Sequence, residues 1–364
     1  MNKFFYIDDN PPSLSEGIIS YLNSVNSINV VLSEAKPWME QIDMLQSEEY
    51  DGLLLDWKLG SNVKYDAEAL ASHIRTLISQ RILQKDFPIL LCSATKEFKS
   101  IFAHDQLSHN LFLSIHTKDE IANGATQIAI EMNDLAEAFK RIQSTNFKKE
   151  DLLLPPEKIQ IDLRLEGEIS ALLENKIPHN LVQFLLLEVI NKPEPLINQY
   201  ILAARLGIDL DKSEDWENLL NNYLYKFKYN GVLSNGWQRW WAKGLEQWWE
   251  SEISISSLRS RSAKQRVKLL TEKTGLKGLI HAEKDKFCFE TEFWTACVAT
   301  NRPLNPIDGL IIIPKTPMLP WQEEQYISPH GLLDDGLEFL KNNNLRLNPL
   351  EYKRWEKIRE ISKK

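Results

Sequence analysis

Asp8 and Asp9 end the apolar run Phe4-Phe5-Tyr6-Ile7, and Asp56 ends a second, Leu53-Leu54-Leu55. Unbroken apolar runs are how strands buried on both faces look, and α/β sheets collect their ligands at the carboxyl ends of such strands. Three carboxylates delivered to one sheet edge make an oxygen-rich site for a hard divalent cation, Mg²⁺ foremost. A carboxylate beside such a cation can also act as a nucleophile toward a phosphoryl group. Two further runs add to the set. Pro88-Ile89-Leu90-Leu91-Cys92 ends in Ser93-Ala94, and Leu111-Phe112-Leu113 leads toward Lys118. Each residue also has a plain structural use: Asp8 or Asp9 as a helix cap before Pro12, Asp56 in a strand-end turn, Ser93 as another cap. Their joint placement just past successive strands is what points to chemistry.

The elements that must position them alternate. Helix-like stretches run from Ser13 to Leu22, Trp38 to Leu45, Ala67 to Leu83 and Ile121 to Ile142, between the apolar runs. Repeated βα units of this size predict an open parallel sheet with helices on both faces.

With these motifs in order, residues 3 to about 140 resemble the receiver domain of two-component response regulators. "IDDN" is similar to that family's acidic pair, "GLLLDWKLG" to the strand and turn bearing the acceptor aspartate, and "ILLCSAT" to the strand ending in a switch Ser/Thr. The resemblance implies a doubly wound, five-stranded parallel sheet. It implies that Asp56 accepts a phosphoryl group from a sensor histidine kinase. Asp8, Asp9, Asp56 and the main-chain carbonyl of Lys58 would hold Mg²⁺, with Ser93 and Lys118 engaging the phosphoryl oxygens. A second receiver protein or self-association would be further partners. Receiver proteins with large tails that do not bind DNA resemble components of antiphage two-component systems such as Detocs, which implies a phosphate-buffering role in antiphage defence.

The chain also departs from the family. Leu59-Gly60 occupies the turn where a Pro usually follows the acceptor, and the stretch from Asp56 to Ser93 is longer than usual. If the last strand is Leu111 to Ser114, the family's lysine is expected at Ser114 or Ile115, and Lys118 lies late. Either the following loop carries Lys118 back to the site, or the lysine is missing and no cation pairs with the phosphoryl oxygens.

Composition sets outer limits. The chain has 364 residues, 43% hydrophobic and 26% charged, enough for two or three domains. No apolar stretch is long enough to span a bilayer, and the N-terminus enters a strand directly, so neither a membrane segment nor a signal peptide is expected. Three cysteines (Cys92, Cys288, Cys297) form no disulfide framework, and no CxxC or HExxH pattern suggests zinc. A reducing cytoplasm fits. Residues 1–140 carry 11 Lys+Arg against 20 Asp+Glu, a net of −9, whereas the rest of the chain is close to neutral. The missing basic surplus argues against nucleic acid as a partner.

The expected division is a receiver over residues 1–142, a linker over 143–156 and a mostly α-helical domain over 157–364 with a small strand element. Helices are expected over Ile161–Glu174, Leu181–Ile190 and Leu196–Leu206, and from Ser213 through Phe227. Trp237, Trp240, Trp241, Trp248 and Trp249 crowd thirteen residues. They read as a helix buried on most sides, with an aromatic partner surface as the competing reading. Ser260 to Lys273 carries Arg261, Lys264, Arg266 and Lys268, read as a solvated helix face, or alternatively as the recognition helix of a DNA-binding regulator. Leu310–Ile313 reads as a buried strand, and Asp334–Lys364 as helical and polar. Asp308 and Lys315 flank that strand without the spacing of a metal-dependent nuclease, and no catalytic constellation is evident in this half. A phosphorylation-controlled enzyme effector is the remaining alternative.

Overall fold

A computed structural model describes residues 1–9, 12–60, 63–94, 110–314 and 317–363. It divides into two compact units: residues 1–152, 167–186 and 231–237, and residues 153–166, 187–230 and 238–364.

In the first unit the elements run β1 (Asn2–Asp8), α1 (Pro12–Asn23), β2 (Ile28–Glu34), α2 (Trp38–Ser47), β3 (Gly52–Asp56), α3 (Ala67–Ser79), β4 (Ile89–Ser93), β5 (Ser114–Thr117) and α4 (Lys118–Gln143). The five strands form one parallel sheet in the order β2-β1-β3-β4-β5. This is the doubly wound, flavodoxin-like order, with its switch point between β1 and β3. Alternation along each strand supplies two cores. Phe5, Ile7, Leu53, Leu55, Ile89 and Leu91 turn to one face and pack with Ile42, Leu45, Leu70 and Ile74 of α2 and α3. Phe4, Tyr6, Leu54 and Leu90 are buried on the opposite side, and α1 packs against α4.

Residues 167–186 and 231–237 belong to this unit through specific polar anchors. The buried Asp86 carboxylate accepts from Arg75 Nη1 at 2.7 Å and from the backbone N–H of His179 at 2.9 Å. Asp134 on α4 accepts the backbone N–H groups of Asn235 and Gly236 at 2.9 and 2.7 Å. A Cβ at Gly236 would crowd the Glu131 backbone at 3.1 Å, so glycine eases the close approach of residues 231–237 to α4.

The second unit departs from the expected helices at several places. Trp240 and Trp241 form a short strand paired antiparallel with Leu196–Ile197, and the helix starts only at Ala242. Trp240, Trp241, Trp248 and Trp249 are all buried. They are core, and the partner-surface reading falls for these four. The stretch from Ser213 breaks into a helix over Trp216–Asn222 and a tighter turn over Leu224–Phe227. Leu310–Pro314 is the centre of a three-stranded antiparallel sheet, with Gln325–Ile327 on one side and Leu345–Leu347 on the other. The tail from Asp334 is therefore not helical throughout. Asp308 is buried and accepts the N–H groups of Phe289 and Glu290, a structural use, and Lys315 lies outside the described residues.

The basic helix spans Ala263–Thr274, opened by a Ser262/Gln265 capping box and closed by Gly275 at φ +78°. Lys264 and Lys268 are exposed, but Arg266 is fully buried. Its Nη1 donates to the carbonyls of Ala204, Arg205 and Phe293 at 3.2, 2.9 and 2.6 Å. Burial pulls its pKa down to about 10, which still leaves it cationic near neutral pH. Arg266 is thus an internal tie, not part of a solvated or DNA-reading face. Arg266→Ala is expected to destabilise the protein by about 3 kcal/mol in urea unfolding, because three carbonyls lose a charged donor and a cavity opens. A loss below about 1 kcal/mol would mean that the tie contributes little.

Candidate functional site

Register brings the acidic residues together. Ile7 pairs with Leu55, so the next residues along, Asp8 and Asp56, stand side by side at the carboxyl end of the sheet. Asp56 pairs in turn with Cys92. Ser93 pairs with Thr117 and is buried. Oxygen atoms of Asp8, Asp9 and Asp56 all lie within 4.8 Å of one another, with Asp8 and Asp56 buried and Asp9 exposed. Asp9, Trp57, Lys58 and Gly60 help to line a surface cavity of about 490 Å³, which gives the cluster access to solvent. The Lys58 N–H donates to Asp56 Oδ2 at 3.2 Å.

Lys118 reaches this cluster. The last strand is Ser114–Thr117, three residues later than the apolar run Leu111–Leu113 suggested. Phe112 and Leu113 are buried lead-in residues. Thr117 caps α4 in a reciprocal capping box: its hydroxyl accepts from Glu120 N at 3.1 Å, and the Glu120 carboxylate accepts from Thr117 N at 2.8 Å. The helix therefore starts at Lys118, directly at the strand end. Lys118 Nζ stands 3.0 Å from Asp56 Oδ1 and 3.1 Å from Asp8 Oδ2.

The electrostatics follow from burial and crowding. Burial, aided by the Asp8 carboxylate, raises Asp56 to about 6 against the opposing pull of Lys118. Burial also works against the Lys118 charge, but Asp56 and Asp8 outweigh it and hold Lys118 above the ordinary lysine value. Asp8 Oδ2 additionally accepts from the buried Ser15 hydroxyl at 3.1 Å. Three carboxylates thus face one ammonium among the described residues. Asp56 Oδ1 is buried, and its partner among the described residues is the Lys118 ammonium at 3.0 Å. An all-oxygen set with surplus negative charge fits a hard divalent cation.

Gly60 holds the turn that follows the acidic strand end. Its φ is +86°, and a Cβ there would overlap the Asp9 carboxylate. Gly60→Ala is expected to cost about 1–2 kcal/mol from the left-handed backbone alone. It should also weaken cation binding by displacing Asp9, which calorimetric titration with Mg²⁺ would show. Full affinity in this variant would mean that Asp9 is not a ligand.

Two neighbours of the cluster were not singled out from the sequence. Ser15 lies in the first turn of α1, just past the acidic strand end, a placement that could have flagged it. Tyr6 is hidden in an apolar run, and nothing short of the folded sheet reveals where its hydroxyl goes.

No protein-family model matches this chain, and no curated protein matches it. Solved structures do. A sensor protein from Polaromonas sp. JS666 is 13% identical, covering 37% of this chain and 98% of its own, at a TM-score of 0.29. The signal receiver domain of the response regulator NarL from Mycobacterium tuberculosis is 20% identical, covering 36% and 95%, at 0.27. A Burkholderia pseudomallei response regulator, solved with a phosphorylated aspartic acid, a calcium ion and citrate, is 13% identical, covering 50% and 91%, at 0.27. Response-regulator receiver domains are thus among the structures this chain is similar to, at low identity and over part of its length. No helix among the described residues is long and apolar enough to cross a membrane.

Proposed function

We propose that the first unit is a phosphoryl-accepting signalling domain, with Asp56 the nucleophile and a sensor histidine kinase the donor. The observation that carries this reading is Lys118 Nζ set between Asp56 and Asp8 at the sheet edge where Asp9 completes the carboxylate cluster. In the transfer, an Asp56 carboxylate oxygen attacks phosphorus and the bond to the donor's imidazole nitrogen breaks. The electron pair leaves with the imidazole. Lys118 exchanges a carboxylate partner for a phosphoryl oxygen, a charge-assisted contact of the same kind. Asp8, Asp9, Asp56 and the Lys58 carbonyl would hold Mg²⁺, which supplies charge neutralisation for the incoming phosphoryl oxygens. Ser93, buried at the end of the neighbouring strand, would sense the product.

A role as a phosphate buffer, as in antiphage two-component systems, is a finer form of the same reading. It needs only the acceptor chemistry and no DNA-binding output. It is favoured over a DNA-binding regulator by the burial of Arg266 inside the basic helix. Incubating the full chain with the small phosphodonor phosphoramidate and Mg²⁺, then following intact mass, tests the acceptor reading. A single phosphoryl adduct that disappears in Asp56→Asn supports it, and an adduct that persists in that variant removes it.

A further inference from the structure

Trp38 and Tyr65 meet at the carboxyl edge of the sheet. Trp38 opens α2 just after β2, and Tyr65 lies on the connection from β3 to α3. Their rings pack edge to face at 4.8 Å between centroids, and the His73 ring of α3 lies 4.6 Å from that of Trp38. Trp38, Tyr65, Pro37 and Val63 wall a surface cavity of about 550 Å³. Tyr65 also lines the cavity of about 490 Å³ beside Asp9, so one ring borders both.

A plain role for these rings is to close the two loops over the core, and that role calls for full burial. Instead all three rings are half-buried, and the wall they form is fixed by specific ties. The Tyr65 hydroxyl donates to the Lys36 carbonyl at 2.5 Å. The fully buried Gln41 accepts the Lys36 N–H on its Oε1 at 3.1 Å. Both backbone groups of Lys36, two residues before Trp38, are thus held by side chains. A wall fixed in this way loses little freedom when a ligand arrives.

The lining indicates what would fit. Open aromatic faces take planar rings, a contact that every nucleobase can make. Lys64 lines the aromatic cavity and Lys58 the one beside Asp9, both exposed cations in a stretch of chain that is otherwise acidic. Of the two carboxylates there, Asp66 is engaged in capping α3, where it accepts the Ala69 N–H at 2.8 Å. Asp9 would repel a phosphate unless a divalent cation lay between them. Open parallel sheets of this strand order take their ligands beside the carboxyl ends at the switch point, here between β1 and β3.

We propose that this edge binds a nucleotide, with its ring against Trp38 and Tyr65 and its phosphates toward Lys58, Lys64 and the divalent cation of the acidic cluster. This rests on the metal reading given above. Bound there, the nucleotide covers the cavity that gives the cluster access to solvent, and so competes with phosphoryl acceptance.

The test titrates the full chain by calorimetry, first with Mg²⁺ alone, then with ADP, GDP and pyrophosphate, each in excess Mg²⁺ and again in EDTA. ADP and GDP should each bind about tenfold or more tighter than pyrophosphate, because only they carry a ring to stack. Trp38→Leu, with its fold checked by thermal melt, should erase that preference and leave pyrophosphate binding unchanged. Lys64→Ala, at an exposed position, should weaken all three. Saturating ADP should slow phosphoryl transfer from phosphoramidate, and an unchanged rate would overturn the placement beside Asp56. Nucleotides no tighter than pyrophosphate, a preference that survives in Trp38→Leu, or nucleotide binding that persists in EDTA would overturn the proposal while Mg²⁺ binding stands. A parent that binds no Mg²⁺ would overturn the metal reading and this one with it.

Discussion

Replacing Lys118 with alanine should destabilise the cation-free protein by about 3 kcal/mol and make its stability strongly dependent on divalent cations. Asp8 and Asp56 are buried carboxylates with Lys118 at 3.1 and 3.0 Å. Removing one partner of such a cluster leaves uncompensated buried charge, a loss of about 3–5 kcal/mol for a fully buried pair. The Lys118 side chain is 20% exposed, which places the expectation at the lower end. One opposing effect exists. Lys118 is the first residue of α4, where a cation faces the positive end of the helix dipole. Its removal there gains about 0.3–1 kcal/mol, too little to reverse the sign. A divalent cation substitutes for the lost charge, and at a hundredfold excess over its dissociation constant binding stabilises by about 2.7 kcal/mol. Thermal melts with and without Mg²⁺ should therefore shift further in Lys118→Ala than in the parent. Equal shifts would mean that the ammonium and the cation do not share the same carboxylates.

Asp56→Asn should do the opposite in the cation-free protein while abolishing phosphoryl acceptance. The folded-state pKa of Asp56 is raised to about 6 from an ordinary value of 3.8, by burial first and the Asp8 charge second, net of Lys118. For a carboxyl group raised in this way, the stabilising contribution is complete below the unfolded value. It is lost as pH rises through the folded one. At pH 8 the parent carries the whole cost of an ionised Asp56, up to roughly 3 kcal/mol. Asparagine has no such cost. The variant's advantage should be absent near pH 4, grow through pH 6 and level off above it. Urea unfolding at pH 4, 6 and 8 checks this, and an advantage that does not vary with pH would contradict the buried-carboxylate explanation. Greater stability combined with lost chemistry is the pattern expected where a site holds strain for function.

The parts of this site legible in the sequence are those set by strand ends. β1, β3 and β4 are buried on both faces and read as unbroken apolar runs, so Asp8, Asp9, Asp56 and Ser93 could be placed at their ends. β5 could not be read that way. Ser114-Ile115-His116-Thr117 is a polar, half-exposed edge strand, and the preceding apolar triplet drew the boundary three residues early. The signal that corrects it was present: Thr117-Lys118-Asp119-Glu120 is a capping box, which starts a helix at Lys118. β2 is also an edge strand, buried on alternate residues only at its start, and its apolar run Val30-Val31-Leu32 ends in no candidate site residue. In the second unit, paired tryptophans suit a buried strand as well as a helix, and periodicity does not separate the two over so short a span. Arg266 shows the opposite failure. Its type reads as solvated, and only the carbonyls converging on it make burial tolerable.

The most direct measurement is to locate the phosphoryl group itself. After treatment of the full chain with phosphoramidate and Mg²⁺, hydride reduction of the acyl phosphate marks the residue that carried it, and peptide mass spectrometry reads the mark. The mark is expected at Asp56, absent without divalent cation and absent in Asp56→Asn. A mark on another residue, or none under conditions where the cation is bound, would contradict the assignment of Asp56 as a phosphoryl acceptor.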